Sequence, residues 1–171
     1  MPDSNAADPR KFSFPPVIAP DTRLLILGSL PGEKSLAAGR YYANPYNQFW
    51  QLTGALIDVD LPSLDYDARL AALLAHGIGL WDVVHSAQRR GSTDAAIRDL
   101  ATNDLPSLAA SLPRLRAIAF NGGTAHREGL RALGSTAERW AIAALPSSSP
   151  LHTVGLAAKL PHWQALRRFL G

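Results

Sequence analysis

The sequence predicts an α/β fold built on a mainly parallel sheet. Three observations carry this prediction. Short apolar runs at residues 24–27, 77–84, 115–120 and 140–145 read as buried strands. Stretches with helical spacing occupy the intervals between them. The chemically unusual loops, Gly28-Ser29-Leu30-Pro31-Gly32, Trp81-Asp82, Asn121-Gly122-Gly123 and Ser147-Ser148-Ser149-Pro150-Leu151-His152, each begin where one of these runs stops. In open parallel sheets, ligands bind beyond the carboxyl ends of the strands, so one crevice can gather all four loops.

Taken in order, residues 1–13 are polar and rich in Pro, Asp and Asn, and are expected to be mobile unless docked. Residues 14–171 are read as a single domain, since no Pro/Gly/Ser linker divides them. The first strand, 24–27, is followed by a helix over Phe49–Ile57 and a second helix over 66–76, with apolar positions at Leu70, Leu73 and Leu74. The glycine-bounded run 77–84 is a short buried strand ending at Trp81-Asp82. A weak helix over 104–112 leads to the strand 115–120, which stops at Asn121. A helix over 124–133 is capped by Gly134. The strand 140–145 and a terminal helix over 156–170 complete the chain.

Composition excludes several classes of chemistry. The 171 residues are 47% hydrophobic, enough for a sizeable core, and contain no Cys, so disulfides, a Cys nucleophile, thiolate-held zinc and iron–sulfur clusters are all ruled out. The five His residues show no metal-ligand spacing, and the reading assigns no metal and no cofactor. No apolar run approaches the roughly 18 residues of a membrane span, and the start lacks a signal-peptide pattern, which points to a soluble, cytoplasmic protein. A formal charge of +3 permits nucleic-acid binding without requiring it.

Gly28-Ser29-Leu30-Pro31-Gly32 is neither a Walker loop nor a dinucleotide fingerprint, because the lysine-serine ending and the glycine spacing are absent. It is either a plain strand-to-helix turn or a loop that lets backbone approach a ligand. The run Tyr41-Tyr42-Ala43-Asn44-Pro45-Tyr46-Asn47-Gln48-Phe49-Trp50 supplies aromatic faces and carboxamides. Phe49 and Trp50 are core candidates at a helix start. Tyr41 and Tyr42 precede that helix, in a loop where a core rarely places both, and the Tyr42 ring suits stacking on a flat heterocycle. Asn47 reads as the helix N-cap and, equally, as an amide able to orient water or meet a base edge. The serine run lacks the GxSxG elbow of a hydrolase. Asp82 is either a pocket group or the cap of a nearby loop.

The ordered set GSLPG, YYANPYNQFW, GIGLWDVV, AIAFNGG and LPSSSPLH, running from about residue 14 to the end, resembles the uracil-DNA glycosylase superfamily and, within it, the deoxyinosine (hypoxanthine) glycosylase branch. The resemblance implies a three-layer α/β/α sandwich around a short parallel sheet. It also implies a monomer without metal, associated with the nucleoid, that acts on damaged duplex or single-stranded DNA. Position by position, it implies a base pocket from Gly28, Ser29, Leu30, Pro31, Gly32, Tyr42 and Asn121. Ser147, Ser148 and Ser149 match a motif that grips phosphates and sugar, Leu151 matches a side chain that wedges into the base stack, and His152 falls beside it at the DNA surface. Leu30 stands where several sibling families carry a water-orienting Asp or Asn, and Ser147 where some carry a catalytic His or Asn. The catalytic assignment therefore falls to Asn47, with Asn44 in reserve and Ser147 beside them.

The implied reaction is base flipping followed by hydrolysis of the N-glycosidic bond, leaving an abasic site. Hypoxanthine is favoured because Leu30 removes a polar group from the pocket floor. The alternatives are a uracil glycosylase acting at G:U mismatches and a non-catalytic DNA-binding relative. Lys11, Lys34 and Lys159 lie outside the motifs, so the expected chemistry is monofunctional, without a Schiff base.

Overall fold

The computed structural model describes residues 10–171. In chain order the main elements are β1 (Arg10–Phe12), β2 (Leu24–Gly28), α1 (Glu33–Ala38), α2 (Phe49–Ile57), α3 (Tyr66–Ala75), β3 (Ile78–Asp82), β4 (Val84–Gln88), β5 (Arg98–Thr102), α4 (Leu105–Ala110), β6 (Ala117–Asn121), α5 (Gly123–Leu133), β7 (Ala141–Leu145) and α6 (Leu156–Gln164). Parallel pairing joins four of the strands in the order β3-β2-β6-β7. All of β2 and all of β6 are buried, which is why both read as unbroken apolar runs rather than as alternating strands.

Alternate residues of these strands face opposite helix layers. Leu24 and Ile26, with Ile78, Leu80, Ala117 and Ala119, pack against Phe49, Leu52 and Leu56 of α2, Leu73 of α3 and Trp163 of α6. Leu25 and Leu27, with Ile118 and Phe120, pack against Leu105 and Ala109 of α4 and Ala125 and Leu133 of α5. The result is the three-layer α/β/α sandwich.

From β2 the chain lays β3 on one side of the sheet and β6 and then β7 on the other, so the direction of winding reverses between β2 and β6. At such a switch point the loops leaving neighbouring strands diverge and open a crevice. In register, Gly28 lies beside Asp82, and Asn121 beside Leu145.

A second sheet, antiparallel and ordered β1-β4-β5, departs from the sequence expectation. The run expected as one strand over 77–84 divides at Val83: β3 ends the parallel sheet at Asp82, and β4 begins the second sheet at Val84. The polar start expected to be mobile is docked where it can be followed, with Lys11 of β1 opposite Ala87 of β4, while residues 1–9 lie outside the described part. Leu30, Val84, Ala87 and Ile97 form a small separate core beneath this sheet. The terminal helix is also shorter than expected. It ends at Gln164, with Pro161 inside it, and a 3-10 segment, Ala165–Phe169, follows. Asp65 and Asp104 cap α3 and α4 by accepting the Ala68 and Ser107 N–H groups.

Candidate active site

A cavity of about 470 Å³ opens at the carboxyl ends of β2, β3 and β6. Every residue that the sequence put forward for catalysis, base pocket or DNA contact borders it, from Gly28 through Tyr42, Asn44, Asn47 and Asn121 to the 147–152 loop. Its volume falls within the roughly 300–1,000 Å³ of small-molecule sites.

Close packing shapes the glycine loop. A Cβ added to Gly28 would lie 2.6 Å from Asp82 Oδ1 and 3.0 Å from the Tyr42 hydroxyl, so only glycine lets these two side chains close over the end of β2. The Leu30 side chain is buried in the small core under the second sheet, where it anchors the loop. Arg89, wholly buried, holds the same loop from below: its guanidinium donates to the Leu30 carbonyl at 3.4 Å, to the Pro31 carbonyl, and through Nε to the Gly91 carbonyl at 2.8 Å. Ser29 donates its hydroxyl to Asp94 Oδ1 at 2.7 Å.

In the second segment the two tyrosines separate. Tyr41, in the loop expected for it, turns its side chain into the core, with its hydroxyl donating to the Pro15 carbonyl at 2.8 Å. Tyr42 takes the left-handed backbone region at φ 53, which is strained for a residue with a side chain, and the Trp50 indole donates to its carbonyl at 3.1 Å. Its ring stacks on Phe49 with centroids 3.7 Å apart and planes 9° from parallel, while the ring also borders the cavity. Asn47 accepts the Phe49 N–H on Oδ1 at 3.0 Å, and the cap position itself belongs to Gln48. The Asn47 Nδ2 group donates to no described residue. Asn44 closes the turn, accepting the Tyr46 N–H on Oδ1 and the Asn47 N–H on its carbonyl.

The serine loop is fixed from several sides. Asn121 Oδ1 accepts the Ser148 N–H at 2.9 Å, and Asn121 Nδ2 donates to Ser148 Oγ at 2.9 Å and to the Tyr42 hydroxyl at 3.3 Å. Ser148 is wholly buried, which makes it a tether behind the loop, whereas the sequence grouped it with Ser147 and Ser149 as a contact to DNA phosphate and sugar. Its carbonyl accepts the Gln48 N–H at 2.9 Å, tying this loop to the Asn47 segment. Ser147 Oγ accepts the Ser149 N–H and Ser149 Oγ the Leu151 N–H, each at 3.1 Å. This turn pushes Leu151 outward, 60% exposed, with His152 exposed beside it. Behind them the buried Lys159 donates to the His152 carbonyl at 3.3 Å.

Three residues that sequence reasoning did not place in the site, Arg89, Asp94 and Lys34, border the cavity or shape it, and Asp82, left open between pocket group and loop cap, lies in its wall. Asp82 is 4% exposed, and its Oδ2 is buried without a hydrogen-bond partner among the described residues. Burial, with Asp94 adding to it and Arg89 opposing it, pushes this carboxyl up to about 7. Burial likewise raises Asp94, against the Ser29 hydrogen bond and the Arg89 charge. Arg89 is the loop clamp, visible in the sequence only as half of an Arg-Arg pair. Lys34 reaches the cavity rim, its ammonium 5.7 Å from the centroid of the exposed Tyr46 ring. Among the described residues no cluster of three or more His, Cys, Asp or Glu is placed to hold a metal ion, and no helix is long and apolar enough to cross a membrane.

Comparison with known proteins supplies the family. Residues 15–170 match the family described as the Uracil DNA glycosylase superfamily. A protein of Methanosarcina barkeri strain Fusaro named Hypoxanthine DNA glycosylase is 45% identical over 113 residues, covering 66% of this chain and 72% of its own length. A protein of the same name from Methanosarcina acetivorans is 38% identical over 160 residues, covering 92% of this chain and 98% of its own length. Among solved structures, a solution NMR structure from Methanosarcina acetivorans, reported as a proposed uracil DNA glycosylase, superposes with a TM-score of 0.81 at 38% identity over 95% of this chain and 99% of that one. A crevice at the switch point of a parallel sheet, floored by a glycine loop and walled by a serine loop, thus coincides with a match across nearly the whole chain, and the chain belongs to the uracil DNA glycosylase superfamily.

Proposed function

We propose that this chain is a monofunctional DNA glycosylase that flips a deaminated base, hypoxanthine by preference, out of DNA and hydrolyses its N-glycosidic bond. The observation that carries the reading is the cavity itself, which Asn47 borders together with the glycine loop while its Oδ1 is held by the Phe49 N–H and its amide N–H pair donates to no described residue. The names of the two Methanosarcina relatives support the choice of hypoxanthine.

Extruding a base costs a few kcal/mol, less at a poorly paired deaminated base. The exposed Leu151 fills the gap in the stack, and Ser147 and Ser149, with backbone N–H groups of their loop, hold the flanking phosphates. The flipped base lies against the cavity face of Tyr42, whose other face rests on Phe49. As the bond breaks, positive charge grows on the sugar and negative charge on the base, and the Asn47 N–H groups meet the developing charge on the base. Water completes the reaction at the sugar carbon.

Leu30, whose apolar side chain removes a polar group from the loop, is accounted for by its packing with Val84, Ala87 and Ile97, so it gives no special weight to a non-catalytic relative. Lys34 lies over Tyr46 and Lys159 on the His152 carbonyl, neither of which calls for covalent chemistry. The protein acts as a monomer on chromosomal DNA.

The test is an excision assay on duplexes carrying hypoxanthine, uracil or xanthine, followed by alkaline cleavage. Release of hypoxanthine faster than uracil is expected, with no covalent complex trapped by borohydride. DNA binding without an abasic product would overturn the reading.

A further inference from the structure

Helix α6 holds the serine loop at both ends. Lys159 and Trp163 lie four residues apart on it, about one turn, so their side chains leave the same face. Both are buried. The Trp163 indole donates to the Pro146 carbonyl at 3.0 Å, where the loop begins, and the Lys159 ammonium donates to the His152 carbonyl at 3.3 Å, next to the exposed Leu151. Trp163 also meets the Phe49 ring edge-on with centroids 5.8 Å apart, and Phe49 carries Tyr42, so the same helix braces the aromatic wall of the cavity.

Residues 151–154 are all exposed. Their own hydrogen bonds are local, the Leu151 N–H going to the Ser149 hydroxyl and the His152 N–H to the Ser149 carbonyl. Among the described residues, the bond from Lys159 is the one that ties this stretch to an element outside the loop. It is an unusual tie. Burial holds the Lys159 ammonium below the ordinary lysine range, and its described partner is a carbonyl, not a carboxylate. An apolar side chain of similar length would fill the same space without that cost. The charge is therefore accounted for by what it holds.

Resting on the glycosylase reading, we propose that Lys159 is the positioning residue of the wedge: by holding the His152 carbonyl it fixes the direction in which Leu151 enters the base stack of a duplex. Extruding a base works against pairing and stacking. A loop free to fold back would yield before the stack did, and the gap would close ahead of the chemistry. Pinned by a charged donor from a helix that is itself packed on the sheet through Trp163, the loop keeps its shape under that load. A single strand has no opposing stack to hold apart, so it makes little demand on Lys159. Lys159 does not border the cavity, and its action runs only through the loop backbone.

The test is single-turnover excision of hypoxanthine from a duplex and from the same strand alone, for the wild type, Lys159→Met, Leu151→Ala and the double variant. Met keeps the unbranched stem and removes the donor. Its Tm should match or exceed that of the wild type, since a buried charge gives way to an apolar group. The ratio of duplex to single-strand rate should fall by at least about tenfold in Lys159→Met. Lys159→Gln, a shorter and neutral donor, should lie between the two. A fluorescent purine analogue placed beside the hypoxanthine reports unstacking without chemistry, and its brightening on mixing should shrink in Lys159→Met. Because Lys159 acts through Leu151, the double variant should be no slower on duplex than Leu151→Ala alone, whereas independent roles multiply their losses. Equal losses on duplex and single strand, or multiplied losses in the double variant, would overturn the role of Lys159 and leave the glycosylase reading standing. A wild-type protein that releases no base from either substrate overturns both.

Discussion

Asn121 and Ser148 hold each other twice, the amide oxygen of one accepting the N–H of the other at 2.9 Å while the amide nitrogen donates to its hydroxyl at the same distance. The pair joins the end of β6 to the serine loop across 27 residues, and its remaining N–H reaches the Tyr42 hydroxyl, so one side chain sets two walls of the cavity. Asn121→Ala leaves the buried Ser148 N–H and hydroxyl unpaired. The expected cost is about 2–3 kcal/mol of stability, read as a lower Tm, with at least tenfold slower excision as the loop loses its register. Asn121→Asp restores the acceptor but not the two donors, and should rescue neither measurement.

Asn47 divides its labour between its two ends, and substitutions can separate them. Asn47→Ala removes both the Phe49 contact and the free amide N–H pair. Single-turnover excision should fall by roughly a hundred- to a thousandfold, the scale of losing one preorganised donor. Stability should drop by only about 1 kcal/mol, the value of one capping-type bond. Asn47→Asp retains an acceptor for the Phe49 N–H and loses the donors, so it should keep the wild-type Tm and still be inactive.

The parallel sheet was legible because β2 and β6 bury both faces, and an unbroken apolar run has few other readings. The site was legible because its loops follow those strands. The second sheet was hidden: β5 has no buried residue and β4 carries His85 and Gln88 on accessible positions, so neither shows an apolar period. Tyr41 and Tyr42 are adjacent, yet the first is buried in the core and the second, at a positive φ, borders the cavity, a divergence that no residue pattern signals. Ser148 looked like its neighbours, and its burial follows from the distant Asn121. No local pattern separates Asp82 the pocket group from a loop cap, because Gly28, Tyr42 and Asp94 enclose it from other parts of the chain.

Arg89 offers a stability test away from the chemistry. Its guanidinium spans the carbonyls of Leu30, Pro31 and Gly91 inside the protein. Arg89→Met leaves those acceptors unpaired at an expected cost of about 3–5 kcal/mol, seen as a fall in the denaturant midpoint with faster amide exchange in the glycine loop. Arg89→Lys should recover less than half of the loss, since a compact ammonium on a flexible stem cannot reproduce the planar fork.

Asp82 also predicts how stability depends on pH. Its carboxyl titrates near 3.8 when unfolded and at about 7 when folded, so between those values the folded state binds more protons than the unfolded one. Stability therefore falls as pH rises through this window, and the favourable contribution, complete below the unfolded value, is lost above the folded one. A displacement of that size corresponds to at most about 4 kcal/mol. Asp94, raised in the same direction, adds to the slope. Asp82→Asn should accordingly gain stability over the wild type above about pH 7, gain little near pH 4, and flatten the curve between, as measured by chemical denaturation at a series of pH values. Equal slopes in wild type and variant would mean that Asp82 ionises as an ordinary exposed carboxylate, despite the closed packing of Gly28 and Tyr42 around it.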